Sequence, residues 1–553
     1  MATAFDPALL PPSAQRTVWR ARAKRVLPQY FRSEYHPLWP LAKIAFFLTG
    51  VVLAMFTGLF VALGGTLALK FVGFPIGIFI VLIIWLLPDV DRPANPPFWK
   101  LFTAYLTLAV VWPAYIAVVI PGLPWLTPPR IVFALLILVM MAHLPQYAQS
   151  RARVWNLLAF DTVAFRLYAG FLLIAVALIP FSKSPVETLS STLLQETFSL
   201  APVVATAWIA HDPERVARIW RLLLLCCIGV LLVAVLENWM QSPPWANYIP
   251  SFMQIDPNVL ELILSPQSRA GDWRYRVRSV FPVVLYYTQY LNLMIPLFLY
   301  ALVRMRGRKM LLVPPLLLLL LHSVWFANAR TAFIPFFLSA FAIAALVITR
   351  EIFFRGRRDT FKTSLLVGGV LLAVLLLGGA LASSHRLKMY TFGGGQHTAS
   401  NETRDQQWDN AVRQIKKNPI GVGIGNSPEL VGTFSSKTPF PVVDSLWINM
   451  LVDVGIVGFA LFFGFFLRSA WIGVKTFMRS DGELEDMAGI MAISLGNFVI
   501  SAYVISHARM NYLAIVMAVC IFTLARRQQE RLGLAAQPEQ PALPAAGTAL
   551  ATR

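Results

Sequence analysis

Apolar runs of about 20 residues recur along the chain, separated by short polar stretches that hold most of its charge. A helical run of that length crosses a hydrocarbon core of ~30 Å at ~1.5 Å per residue. Candidate spans are 42–64, 67–88, 101–121, 129–145, 162–181, 190–210, 219–238, 280–303, 310–327, 331–349, 364–382, 445–467, 487–505 and 509–525. The pattern predicts an all-α polytopic membrane protein of about 14 transmembrane helices.

The polar stretches order these helices. The first forty residues are basic (Arg16, Arg20, Arg22, Lys24, Arg25, Arg32) and show no cleavable signal pattern, so the N-terminus is expected inside. Alternate loops then carry Arg92/Lys100, Arg151/Arg153, Arg215/Arg218/Arg221, Arg304/Arg306/Arg308/Lys309, Arg350/Arg355/Arg357/Arg358 and Arg468/Lys475/Arg479. The opposite loops hold scattered bases such as Lys70, Arg130 and Lys183. This asymmetry places both termini in the cytoplasm. It divides the chain into a basic N-terminal segment (1–41), a first bundle (42–238), an outside loop (239–279), further helices (280–382), a second outside loop with an amphipathic helix (383–443), C-terminal helices (444–525) and an Ala/Pro-rich tail (526–553) expected to be disordered.

Composition agrees with the pattern. Hydrophobic residues make up 57% and charged residues 13%, against ~25% charged in soluble domains. The net charge of +20 sits in clusters between apolar runs, which argues for membrane topology and against nucleic acid as a partner. Cys226, Cys227 and Cys520 lie within apolar runs and read as small core residues.

Candidate chemistry lies in the two outside loops. The first ends SRAGDWRYRVRSVFP, with Arg274, Arg276 and Arg278 alternating. In an extended chain they share one face at ~6.6 Å intervals. They are either solvated bases, with Asp272 or lipid headgroups as partners, or a surface for phosphate, which Arg grips bidentately. Arg330 occupies a short turn between two spans; such a charge faces a cavity, a partner or the interface. In the second loop Asn401 can cap a helix over about 402–417, with Trp408, Val412 and Ile415 as its apolar stripe. Asn418-Pro419 ends it. Gly421, Gly423 and Gly425 alternate next. They predict either a flexible turn or a backbone open to close approach, with amides free for an anion. Asp444 opens the span 445–467 as a helix cap or as a general base, and Asp453 is a second carboxylate deeper in it. His211, His385, His397 and His507 have no metal-ligand spacing, so neither a metal nor another cofactor is expected.

The run Arg404-x3-Trp408-x2-Ala411-x3-Ile415-x3-Pro419-x-Gly421-x-Gly423-x-Gly425 resembles the hallmark of the O-antigen ligase and polymerase superfamily. So does Asp444-Ser445-Leu446…Leu451-x-Asp453-x-Gly455-x2-Gly458, and the Asn-Ala-Arg-Thr-Ala run 328–332 is similar to the family's Ser-Arg-x-Ala turn. The resemblance covers roughly 270–467. It implies a GT-C-like helical fold in the bacterial inner membrane, working on the periplasmic face. The donor it implies is an undecaprenyl-pyrophosphate-linked glycan and the acceptor a hydroxyl, with no metal or nucleotide sugar. It leaves room for a chain-length regulator as a partner beside the bilayer. Arg274, Arg276, Arg278, Arg330 and Arg404, with Gly423 and Gly425, would then hold the pyrophosphate, and Asp444 with Arg330 would be catalytic. Ligases of the family that load lipid A core carry His where Asp444 stands, which favours a polymerase of O-antigen or exopolysaccharide repeats. A ligase is the alternative. A transporter or flippase of lipid-linked sugars is the reading from another class, and no internal repeat supports it.

Overall fold

The computed structural model describes residues 97–120, 125–144, 147–266, 275–353, 398–435, 438–480, 482–505 and 510–535, with Met55, Gly368, Gly379 and Ser383 as single positions. Apart from those single positions, the expected spans 42–64, 67–88 and 364–382 lie outside the described residues, as do 1–41 and 536–553; residues 526–535, expected in a disordered tail, are helical.

Two compact units divide the chain, Met1–Asn156 with Asn247–Glu261, and Leu157–Ala246 with Leu262–Arg553. In chain order the first helices are α1 (Pro97–Val111), α2 (Pro128–His143) and α3 (Ala148–Leu158). In the first unit Tyr105 of α1 packs on Phe133 of α2 with ring centres 4.9 Å apart. Its second segment joins through the Ile116–Gln254 bridge.

The helices α4 (Thr162–Ala177), α5 (Pro185–Ile209), α6 (Pro213–Met240), α7 (Pro257–Leu264), α8 (Val284–Val303), α9 (Val313–Phe326) and α10 (Arg330–Phe353) follow. After them come α11 (Thr398–Lys417), α12 (Ser427–Val431), α13 (Leu446–Asp453), α14 (Gly455–Met478), α15 (Glu483–Ser501) and α16 (Asn511–Ala535). Local chemistry sets several starts. Asp161 accepts the Ala164 amide at 2.7 Å to open α4, and Asp212 accepts the Glu214 amide at 3.0 Å to open α6. Proline occupies the first turn of α5 and α6, where its missing N–H costs nothing.

The second unit packs apolar faces together. Phe171 of α4 meets Phe462 of α14 at 4.9 Å, and Phe466 meets Phe498 of α15 at 5.0 Å. The three cysteines form no disulfide and are buried, as small core residues. Charges gather at one end of this bundle. Arg350 pairs with Asp486, which also accepts from Tyr300, and Glu485 receives Arg527 at 3.3 Å and Arg531 at 3.0 Å.

Six described segments are long and apolar enough to cross a membrane: Thr162–Phe181, Pro213–Met240, Gly307–Phe326, Arg330–Phe353, Gly455–Met478 and Glu483–Ser501. The chain is a multi-pass, mostly helical membrane protein. The expected spans 190–210, 280–303 and 509–525 are helical as α5, α8 and α16 without joining those six. Polar side chains explain two of them: α5 carries Ser, Thr, Gln and Glu, and α8 buries Gln289 and Asn292. The apolar helices Phe98–Val111 and Pro128–Met141 fall short of a span.

Two further departures bear on the site. The run 445–467 is not one helix. It breaks at Val454 and Gly455, where Gly455 takes φ +69° and its Cα faces the Ile420 backbone. A Cβ there would stand 2.3 Å from the Ile420 carbonyl carbon, so only glycine suits the contact. Beyond the helices, the stretch 383–443 holds a short antiparallel pair that hydrophobic periodicity did not suggest. It joins β1 (Thr433–Ser435) to β2 (Thr438–Val442), with Thr433 opposite Val442.

Candidate functional site

Helix α11 organises the site. It begins at Thr398, so Asn401 lies within it and is not its cap. Its end at Lys417, before Asn418-Pro419, follows from the proline. One side of α11 is buried: Gln407 and Ala411 are enclosed, and Trp408 and Ile415 pack on Val422, Val431, Val443, Ile448 and Val452. Val412, expected in the apolar stripe, is 44% exposed. The face that buries runs through 404, 408, 411 and 415, and Val412 falls just off it.

Three groups along that face reach neighbouring elements. Asn401 accepts a hydrogen bond from the Arg330 guanidinium at 2.8 Å. Gln407 accepts the Asp444 amide at 3.0 Å and donates to the Val442 carbonyl at 3.0 Å and to Thr433 Oγ1 at 2.8 Å. Arg404 stands between them, one helical turn from each. Its charge acts on both Arg330 and Asp444. The Arg404 Nε is buried with no hydrogen-bond partner among the described residues.

Arg330 is held by the turn before it. Asn328 takes φ +46°, a left-handed conformation that Asn tolerates, and ends α9 so that α10 opens on Arg330. The strand-like segment after Arg274 is pinned to the same turn: the Val277 amide donates to the Phe326 carbonyl at 3.0 Å, and Arg276 Nε donates to Ala327 at 3.4 Å. Arg276 and Arg330 therefore flank one turn.

Asp444 is half-buried. Burial pushes its carboxyl above the usual carboxylate range, and the Arg404 charge pulls it partly back. It does not cap the following helix. Ser445 does, accepting the Ile448 amide. Asp444 is thus left with its carboxylate uncommitted to the helix start.

Arg278 departs from the expected row of arginines. Its side chain is fully buried and faces Glu237 of α6, with Nε 3.6 Å from Oε1, while Nη2 donates to the Leu264 carbonyl at 3.2 Å. Glu237 also accepts the Arg278 amide at 3.0 Å and the Tyr275 hydroxyl at 2.6 Å. A surface row at extended spacing was expected; the buried carboxylate draws the third arginine inward. Arg274 lies outside the described residues.

The glycine loop also differs from expectation. Gly421, Gly423 and Gly425 take φ of +109°, +95° and +93°. Their amides are not free for a foreign anion. The Gly423 amide donates to the Asp453 carbonyl at 2.8 Å, and the amides of Gly425 and Ser427 donate to the Asp453 carboxylate at 2.9 and 2.8 Å. The anion is the chain's own. Because α13 stops at Asp453, that carboxylate lies before the span, not deep inside it. Burial pushes it up to about 7, against the lowering effect of those amides. On its other side the loop is clamped by Asn426, which donates to Thr188 of α5 at 2.9 Å.

Four contributors were not singled out as site residues from sequence. Glu237 is a lone carboxylate closing an apolar run, which is a legible signal. Gln407 is polar on the side where the helix buries. Asn401 and Asn426 carry amides whose partners lie far along the chain. Among the described residues no group of three His, Cys, Asp or Glu side chains could hold a metal ion.

The arrangement defines a helical membrane protein with guanidiniums and a carboxylate gathered around one polar helix, α11. Residues 288–463 match the protein family described as O-antigen ligase, which supports the resemblance to the O-antigen ligase and polymerase superfamily. The match contains Arg330, Arg404, the glycine loop, Asp444 and Asp453. No curated protein matches the chain.

Proposed function

We propose that the chain is an inner-membrane glycosyltransferase of GT-C-like fold that polymerises undecaprenyl-pyrophosphate-linked repeat units at the periplasmic face. The observation that carries this reading is α11, which bonds Arg330 through Asn401 at 2.8 Å and the Asp444 amide through Gln407 at 3.0 Å, with Arg404 one turn from each. A glycosyl transfer with a pyrophosphate leaving group needs those two chemistries side by side. Asp444 takes the proton from the acceptor hydroxyl, whose oxygen attacks the anomeric carbon from the face opposite the leaving group. The bond from that carbon to the pyrophosphate oxygen breaks, and its electron pair stays on the pyrophosphate. Arg330, Arg404 and Arg276 meet the negative charge as it develops. Attack from the opposite face inverts the anomeric centre.

Asp444, in place of the His that resembles the lipid A ligases, favours the polymerase; a ligase uses the same groups on a different acceptor. The glycan of a strain lacking the chain separates the two. Single repeat units capping the lipid A core mean that a polymerase is lost. Long lipid-linked chains without an acceptor mean that a ligase is lost. Arg330→Ala, inserted at normal level, is expected to reproduce the deletion; unchanged long glycan in that variant refutes the site.

A further inference from the structure

A cavity lies away from this site, toward the C-terminal end of α14. It encloses about 240 Å³ and is lined on one side by Arg468, Trp471, Lys475 and Arg479, and on the other by Asp161, Gln528 and Leu532. Its only carboxylate among the lining residues is Asp161, which already accepts from Arg468 Nε at 3.2 Å and Nη2 at 2.7 Å. Lys475 and Arg479 are left as excess positive charge, exposed and four residues apart, Lys475 in the last turn of α14 and Arg479 just past its end.

Position makes the cavity interfacial. Lys475 and Arg479 lie at the end of the candidate span Gly455–Met478, and Asp161 caps the start of the candidate span Thr162–Phe181. Both mark the same membrane boundary, on the face the charge pattern assigns to the inside. Trp471 is 61% exposed at this level, where indole rings anchor, and Leu467, one turn deeper, is 53% exposed. Cations at the boundary with an exposed apolar strip below them match the two ends of one molecule.

We infer that this cavity binds an anionic phospholipid, with its phosphodiester on Lys475 and Arg479 and an acyl chain along Trp471 and Leu467. Arg468, fixed by Asp161, forms the wall that holds the headgroup at the entrance.

The test is native mass spectrometry of the full chain from micelles doped equally with phosphatidylglycerol and phosphatidylcholine. The intact protein should retain phosphatidylglycerol selectively. Lys475→Gln with Arg479→Gln should lower that retention roughly 30-fold, about fivefold for each cation removed. Lys475→Gln alone, at an exposed position, should give the single fivefold step if the double variant fails to fold. Arg308→Gln with Lys309→Gln, exposed bases in another loop, should leave retention unchanged. Equal retention of the two lipids overturns the site, as does loss of retention in the Arg308/Lys309 control. Displacement of the lipid by inorganic phosphate at similar concentration would assign the cations to free phosphate and also overturn it.

Discussion

Asp444 and Asp453 are both carboxyls raised by burial, yet their surroundings give them different work. Asp444 faces a cation and its side chain holds no helix start, so it suits proton transfer. Asp444→Asn should lower glycan extension by 10²- to 10⁴-fold, roughly the range for a lost general base. Asp444→His should restore activity with the acid limb of its pH–rate profile moved toward ~6.5, the ordinary imidazole value. An unmoved limb would remove Asp444 from proton transfer. Asp453 is instead enclosed by loop amides. Its folded value of about 7 lies above the unfolded carboxylate value. The folded state therefore holds the proton more tightly. The stability it contributes is complete at pH below the unfolded value and is lost as pH rises toward about 7. The thermal midpoint of the detergent-solubilised protein should fall between about pH 4 and 7, and Asp453→Asn should flatten that fall. Equal slopes in the two proteins would show that Asp453 does not titrate there.

At the scale of elements, the break between α13 and α14 joins the glycine loop to the membrane helices. The Ile456 amide donates to the Pro419 carbonyl at 3.1 Å, and the Val422 amide to the Val452 carbonyl at 3.1 Å. Gly455→Ala must place a methyl against the Ile420 backbone at a positive φ. It should cost on the order of 1–3 kcal/mol from backbone strain alone, read as a lowered thermal midpoint with loss of activity. Gly229, with nothing within 4 Å of its would-be Cβ, provides the contrast: Gly229→Ala should leave the midpoint unchanged or raise it. The Arg278–Glu237 pair behaves as an element of the same kind, tying the segment 275–279 to α6. Glu237→Ala leaves a buried guanidinium without its carboxylate and should destabilise by about 3–5 kcal/mol, seen as reduced protein in the membrane fraction.

At the scale of the whole molecule, hydropathy gave the membrane class and most helix positions, because a long apolar run has few other ways to fold. Proline gave the end of α11. The break at Gly455 was hidden, since apolar residues continue on both sides and only the approach of Ile420 requires it. The site was half legible. Arg404 lies on α11, which also bonds Arg330 through Asn401 and the Asp444 amide through Gln407, and the residue types of the three announce charge chemistry. That the glycine amides serve Asp453 depends on α13 stopping where it does. That Arg278 turns inward depends on Glu237, some 40 positions away. Pairings over such separations are set by packing, and no local pattern encodes them.

The clamp of Asn426 on Thr188 has a consequence for how the protein is made. The two residues are separated by 238 positions. At about 5–20 residues per second, the ribosome needs on the order of 10–50 s to go from one to the other. For that interval α5 waits with its half of the clamp unfilled. The glycine loop cannot close until Asp453 has also emerged. Synthesis itself thus keeps the unfinished chain inert, and a chain released early would carry helices without a site.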